Sequence, residues 1–282
     1  MPAIYAHLRF GDEVVAYLPP SFRACAEKFP EAFHLGTQGP DILFYHQPMK
    51  KNEIRSFGMK MHVGQEGGIF FAKQAKQLSK DGVLRMEDGA LVSTKEAAYL
   101  MGFLCHFTLD VHCHPLIDGN TSEKLTHGKI ESEFDKYLLR LDGKPIRGYN
   151  TATPIQNTNG AAETCAKIID IPLKEIELSI KTMRKINGWF SSKCEPFHGF
   201  AHFFLKIVKM ERKFGDMFLH KKDDPLCKDL LPSLTEILKN TVKKAAAIIE
   251  EYFFSLSATA ATERLENDLF RYNYSGIIHT EV

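Results

Sequence analysis

The chain has 282 residues, 44% hydrophobic and 25% charged, with 36 Lys+Arg against 35 Asp+Glu. That length buries a substantial core without disulfide help and favours one domain, while the near-neutral balance excludes a global pull toward nucleic acid or anionic lipid, leaving local basic stretches such as Lys50-Lys51 and Lys221-Lys222. No window approaches the roughly 18 consecutive apolar residues of a membrane span, and the six cysteines include no CxxC pair, which argues against a disulfide framework or a cysteine-rich zinc knuckle.

The opening MPAIYAHLRFGDEVVAYLPP has neither a basic leader nor an apolar core of signal-peptide length, so a cytoplasmic location is expected. Strand-like alternation is scarce and apolar residues recur at helical spacing, so the expected fold is all-α. A first helix is expected from about residues 2–6 to Leu18, where LPPS stops it, and a second from Pro20 to Phe29. AFHLGTQGPDILFYHQP, rich in Gly and Pro, reads as a turn-containing connection, Gly68 to Leu78 as a helix, and KDGVLRMEDGALVS as a loop. STKE then places Ser93 three residues before Glu96, the pattern of a capping box, and opens a helix expected to end at His114 because Pro115 follows. Its apolar residues point all round, as in a central, buried helix. Another helix is expected over Thr121–Leu141. The stretch Lys144–Ala162 is the longest loop-like segment, a linker or an active-site rim. Amphipathic helices follow over Pro172–Trp189, Pro196–Phe214, Leu231–Phe254 and Ala261–Phe270. Together they make a single-domain multi-helix bundle over residues 1–282, with a motif-rich half to about 140 and a motif-poor helical half from about 160.

The central helix carries HFTLDVHCHP. Each helical residue turns about 100°, so His106, Asp110 and His114, spaced four and four, share one face, whereas His112 lies on another. On the next helix His127 and Glu131 repeat the four-residue spacing. Imidazole and carboxylate at that spacing suit zinc, with bonds of about 2.0 to 2.2 Å. Upstream stand three further candidates in distinctive contexts: His7 in YAHLRFG, Asp41 in GTQGPDILF and His62 in MKMHVG. A carboxylate after Gly-Pro is readily aimed inward from a turn; capping by Asp41 and a hydrogen-bonded core His7 are the competing structural roles.

The ordered set His7, Asp41, His62, His106xxxAsp110, His114, His127xxxGlu131 resembles that of the zinc-dependent phospholipase C family of bacteria, whose all-α fold and three-zinc centre are shared with fungal-type single-strand nucleases. The opening MPAIYAHLRFG and LGTQGPDILF look like its intracellular branch. The likeness covers residues 1 to about 135. It implies that Asp41, His62, His106 and Asp110 hold one zinc, that His114, His127 and Glu131 hold a second, and that His7 with a bridging Asp110 belongs to a third. In secreted relatives a processed N-terminal residue completes that third site, and this chain shows no leader to cleave.

The resemblance implies a metal-dependent phosphodiester hydrolase. Two zinc ions about 3.5 to 4 Å apart make hydroxide available near neutral pH, and Asp41 would orient the attacking water or accept its proton. The expected substrate is a phospholipid or small phosphodiester, with peripheral membrane contact. Nucleic acid fits less well, because it asks for a basic track and a stacking platform. The alternatives are a nuclease or nucleotidase on the same centre, and a non-catalytic, metal-stabilised protein that binds lipid or a partner. Phe70, Phe71, Tyr99 and Trp189 are candidates for a headgroup pocket, Arg147 for phosphate contact, and His198 with His202 for a core or surface role.

Overall fold

The computed structural model describes residues 4–64, 67–207, 215, 218–219, 222–256, 265 and 267–278. Eleven α-helices are used below: α1 Ile4–Val15, α2 Pro20–Lys28, α3 Pro30–Gly36, α4 Glu53–Val63, α5 Gly67–Lys80, α6 Lys95–Gly119, α7 His127–Leu141, α8 Ala161–Ile169, α9 Leu173–Phe190, α10 Glu195–Ile207 and α11 Leu230–Phe254. The fold is all-α, since among the described residues the strands amount to one antiparallel hairpin, β1 Met86–Glu87 with β2 Ala90–Leu91. None of the described helices is long and apolar enough to cross a membrane.

The structure places α6 at the centre, as its all-round apolar sequence requires. Every residue from Ala97 to Val111 is buried, and α1, α3, α7, α8 and α11 pack around it. Its contact with α3 is the closest: a Cβ at Gly36 or at Gly102 would overlap the carbonyl of Tyr99 or of Phe33, so the two backbones touch. That approach holds the turn after α3 against the middle of α6.

Several boundaries differ from expectation. The helix does not stop at His114; it runs through Pro115, which is exposed, to Gly119, since proline removes one backbone hydrogen bond from a helix already anchored by its buried stretch Ala97–Val111. Its cap is Thr94, whose Oγ1 accepts the Ala97 N–H at 3.1 Å, rather than Ser93. Glu96 pairs with Lys167 at 2.9 Å instead of closing a capping box. Helix α7 begins at His127, not Thr121, with Thr126 Oγ1 accepting from Lys129 N–H at 3.1 Å.

The connection after Phe29 is more regular than its Gly and Pro suggest. It holds α3, started by Pro30, and a 3-10 turn over Gly39–Tyr45. Helices α4 and α8 were not expected from the sequence, and the loop 80–93 contains the β hairpin. Helix α1 ends at Val15 rather than Leu18, while residues 2 and 3 lie outside the described residues. Of the helix expected over 196–214, α10 is present to Ile207 and 208–214 lie outside the described residues. The helix expected over 261–270 falls largely outside them too, and 268–271 form a 3-10 turn.

Candidate metal centre

Five chain segments bring their polar side chains to one side of α6. His7 comes from α1, Asp41 from the 3-10 turn, His62 from the last turn of α4, His106, Asp110 and His114 from α6, and His127 and Glu131 from the first turns of α7. All eight residues expected from the sequence therefore converge.

Asp110 is the meeting point. Its Oδ1 lies 3.2 Å from His7 Nε2 and 3.5 Å from His114 Nε2, and its Oδ2 lies 3.1 Å from His106 Nε2 and 3.2 Å from His62 Nε2. Four imidazoles thus face one carboxylate that is only 3% exposed. His62 Nε2 is also 3.6 Å from Asp41 Oδ1. On the far side, Glu131 Oε1 lies 3.3 Å from His127 Nε2 and 3.8 Å from His114 Nε2.

These contacts are close but not all are hydrogen bonds. His106 Nε2, Asp110 Oδ2 and Asp41 Oδ1 are buried with no hydrogen-bond partner among the described residues. A fold rarely leaves several buried polar atoms unsatisfied side by side, because each costs roughly 1–3 kcal/mol. A divalent cation would satisfy them together. Four triplets have ligand atoms mutually within 4.8 Å: His7/His106/Asp110, Asp41/His62/His106, His62/Asp110/His114 and His114/His127/Glu131. Nitrogen and oxygen donors without thiolate suit zinc among the divalent metals. Cys105 and Cys113 are buried and outside these triplets.

The remote ring nitrogens are anchored in two cases. His106 Nδ1 lies 3.1 Å from the Thr37 carbonyl, and His127 Nδ1 lies 2.6 Å from Asp118 Oδ1. With Nδ1–H donating there, each Nε2 is left as a lone pair aimed at the centre. Gly39 makes the first arrangement possible: its φ is +50°, and a Cβ there would overlap the His106 ring.

Electrostatics follow the same geometry. Burial opposes ionisation of Asp110, yet the imidazoles of His106, His114 and His7 hold its carboxyl well below the usual range. Burial and the neighbouring His106 lower His7. For His114 burial is outweighed by Asp110 and Glu131, which raise it to about 9.

Other candidates sort differently. His112 turns away, its Nδ1 2.8 Å from the Thr108 carbonyl of its own helix. His198 Nε2 lies 2.9 Å from the Ser192 carbonyl, and the side chain of His202 lies outside the described residues. Phe70, Phe71 and Tyr99 are core residues, whereas Trp189 is 47% exposed. Arg147 donates to the Leu219 carbonyl at 3.2 Å. Sequence reading missed Asp118, the Thr37 carbonyl and Tyr274, whose ring stacks on His62 at 5.1 Å; nothing in their local sequence marks them.

An all-α bundle with a buried row of imidazoles and carboxylates on its central helix is the architecture of a metal-binding protein. The family model described as zinc dependent phospholipase C matches residues 6–194, and the chain belongs to that family. Zinc is the metal the family implies, and the four triplets offer it ligands. No curated protein and no solved structure matches the chain significantly.

Proposed function

We propose that this chain is a zinc-dependent phosphodiesterase that splits a phospholipid-like ester into a neutral alcohol and a phosphorylated headgroup. The observation that carries this reading is Asp110, one buried carboxylate faced by four imidazoles with orphaned atoms between them. In this reading Asp41, His62, His106 and Asp110 hold one ion, His114, His127 and Glu131 a second, and His7 with Asp110 a third.

Zinc, when bound, supplies Lewis acidity toward phosphoryl oxygen and lowers the pKa of water toward neutrality. The chain's own residues do the rest. Asp41 stands at the start of its 3-10 turn, more exposed than Asp110, with Oδ1 unpartnered, which suits it to orient the attacking water and accept its proton. The buried aromatic wall formed by Phe103, Phe107 and Tyr274 excludes water behind the histidines and strengthens charge interactions in the centre. In this reading the chain acts as one unit, which is supported by the packing of α11, beyond the matched region, on α6.

A lipid substrate is favoured by one surface feature. On α10, Phe200, Phe203 and Ile207 are 67%, 63% and 62% exposed, and three to four residues separate them, so they form one apolar stripe. A cavity of about 280 Å³ beside it is lined by Met49, Trp189, Phe197 and Phe200 among others. Exposed Lys50, Lys51, Arg184, Lys185 and Lys193 flank these residues in the sequence. An exposed apolar stripe with exposed basic residues near it in the sequence suits an anionic lipid interface, and in this reading it makes the peripheral membrane contact. A cytoplasmic enzyme would meet that interface on the inner leaflet.

Metal content per chain, measured by elemental analysis on untagged protein prepared without chelator, tests the centre. Two or three zinc ions, with more than one lost in Asp110→Ala, are expected; no metal, even after zinc addition, overturns the reading. Headgroup release from phosphatidylcholine against cleavage of single-stranded DNA then tests the substrate class. Activity on neither overturns hydrolysis and leaves a metal-stabilised binding protein, while preference for DNA replaces the lipid with nucleic acid.

A further inference from the structure

The last described segment, residues 267–278, lies outside the region matched by the family, yet it reaches the metal centre. Three consecutive residues tie it to the end of α4 and the start of α5. The Tyr272 carbonyl accepts from Gly67 N–H at 2.9 Å, Asn273 Nδ2 donates to the Val63 carbonyl at 3.4 Å, and Tyr274 N–H donates to the His62 carbonyl at 3.2 Å. Asn273 also stiffens the segment from within, its Oδ1 accepting from the N–H groups of Ser275 at 3.0 Å and Ile277 at 3.1 Å. Phe270 stacks on Phe107 at 6.0 Å with rings nearly parallel, closing the segment on α6.

Tyr274 is the residue this strap delivers. It is 1% exposed. Its ring stacks on His62 at 5.1 Å, lies 5.9 Å from the His106 ring and meets Phe107 edge-on at 4.9 Å. Phenylalanines fill the same wall at Phe103, Phe107 and Phe270, and a phenylalanine at 274 would pack the same way. The hydroxyl is therefore unexplained by packing, and it is costly: Oη is buried with no hydrogen-bond partner among the described residues. Two unpartnered acceptors belong to the same centre, Asp110 Oδ2 and Asp41 Oδ1, and these are the carboxylates whose charge bears on the phenol. A tyrosine hydroxyl is protonated at neutral pH and donates one hydrogen bond.

We propose that Tyr274 is a positioning residue of the metal centre: its ring fixes the His62 imidazole, and its hydroxyl, unpartnered in this structure, is held to donate to the equally unpartnered Asp110–Asp41 carboxylate side when zinc draws the centre together, so that the C-terminal strap completes the zinc site. The inference rests on metal binding at this centre and not on the substrate. Such outer partners orient the ligands that touch metal, and their loss typically weakens binding about 10- to 100-fold.

The test is zinc affinity, by competition with a chelating indicator, for wild type, Tyr274→Phe, Tyr274→Ala and Asp110→Ala, with a thermal melt of each metal-free protein. Tyr274→Phe keeps the ring and is expected to melt like wild type while binding zinc about 10-fold more weakly; Tyr274→Ala, which loses the stack as well, is expected to fall further. Wild-type zinc affinity in Tyr274→Phe overturns the role of the hydroxyl, and wild-type affinity in a folded Tyr274→Ala overturns the role of the ring. If the alanine variant does not fold, the phenylalanine variant alone decides. Asp110→Ala separates the two readings: zinc lost there but kept in both Tyr274 variants sinks this inference alone, whereas a wild-type protein that binds no zinc sinks the metal centre itself.

Discussion

Among the buried carboxylates of helix α7, Glu131 and Glu133 stand two residues apart and belong to unlike clusters. Glu131 faces His114 and His127 at the metal centre. Glu133, on another face, receives Lys136 Nζ at 2.7 Å and the Asp224 N–H at 3.1 Å. Lys136, 1% exposed, also donates to the Lys222 carbonyl at 2.9 Å and lies 3.2 Å from Asp223. Around Lys136 each donor has an acceptor and the charges cancel. Around Asp110 four imidazoles crowd one carboxylate, and His106 Nε2 and Asp110 Oδ2 stand 3.1 Å apart without hydrogen-bond geometry. Burial of charge alone therefore says little. What marks the candidate metal cluster is that its polarity is incomplete without a cation.

That contrast predicts opposite phenotypes. Asp110→Ala should cost several kcal/mol of transition-state stabilisation, on the order of 10³-fold in kcat/KM, with zinc lost and the apo-protein still folded; steady-state kinetics beside metal analysis would show it, and unchanged zinc content would erase the distinction. Glu133→Ala should do the reverse. It strips a buried ammonium of its nearest partner, so denaturant unfolding should register a loss of about 3 kcal/mol while zinc per folded chain stays at the wild-type value. Asp41→Asn probes the metal cluster more finely: kcat on a soluble aryl phosphodiester should drop about 10²-fold, and a drop confined to KM would remove Asp41 from proton transfer.

The smallest expected effect lies where α7 meets the start of α1. Both oxygens of Asp135 accept backbone N–H groups at the start of α1, Tyr5 at 3.0 Å and Ala6 at 2.8 Å. Burial pushes this carboxyl up to about 8 against those two donors. A raised folded pKa means that the folded chain holds the proton more tightly, so the associated stability is full below the ordinary carboxylate value and fades as pH climbs through about 8. Asp135→Asn should cost about 1 kcal/mol and flatten stability between pH 5 and pH 9. A variant whose unfolding free energy keeps the wild-type pH slope would rule Asp135 out as its source.

Much of this centre was legible because helical periodicity does the reading. His106, Asp110 and His114 share a face by spacing alone, and the apolar run before them demands burial, so the central position of α6 followed. The cap at Thr94 and the passage through Pro115 were missed for a physical reason: neighbouring Ser and Thr compete equally for a cap, and a proline that removes one hydrogen bond need not end a helix anchored by the buried turns before it. Helix α4 was missed, although Asn52 caps it, because its sequence EIRSFGMKMHV mixes polar and apolar residues without a clear stripe. Tyr274 and Asp118 had no signature at all. A residue that serves a ligand from the outer layer needs only the right place, and place is set by long-range packing.

The convergence of His7, Asp41, His62, Asp110 and Glu131 also bears on how the chain unfolds. An ion shared by His7, His106 and Asp110, or by Asp41, His62 and His106, would close a large loop and act as a removable cross-link, whereas one held by His114, His127 and Glu131 would close only a short one. Because the site does not exist in the unfolded chain, its binding free energy adds to folding in proportion to the logarithm of free zinc. Amide hydrogens of α1, α4, α6 and α7 should consequently exchange as one cooperative block in the loaded protein and as separate units after chelation.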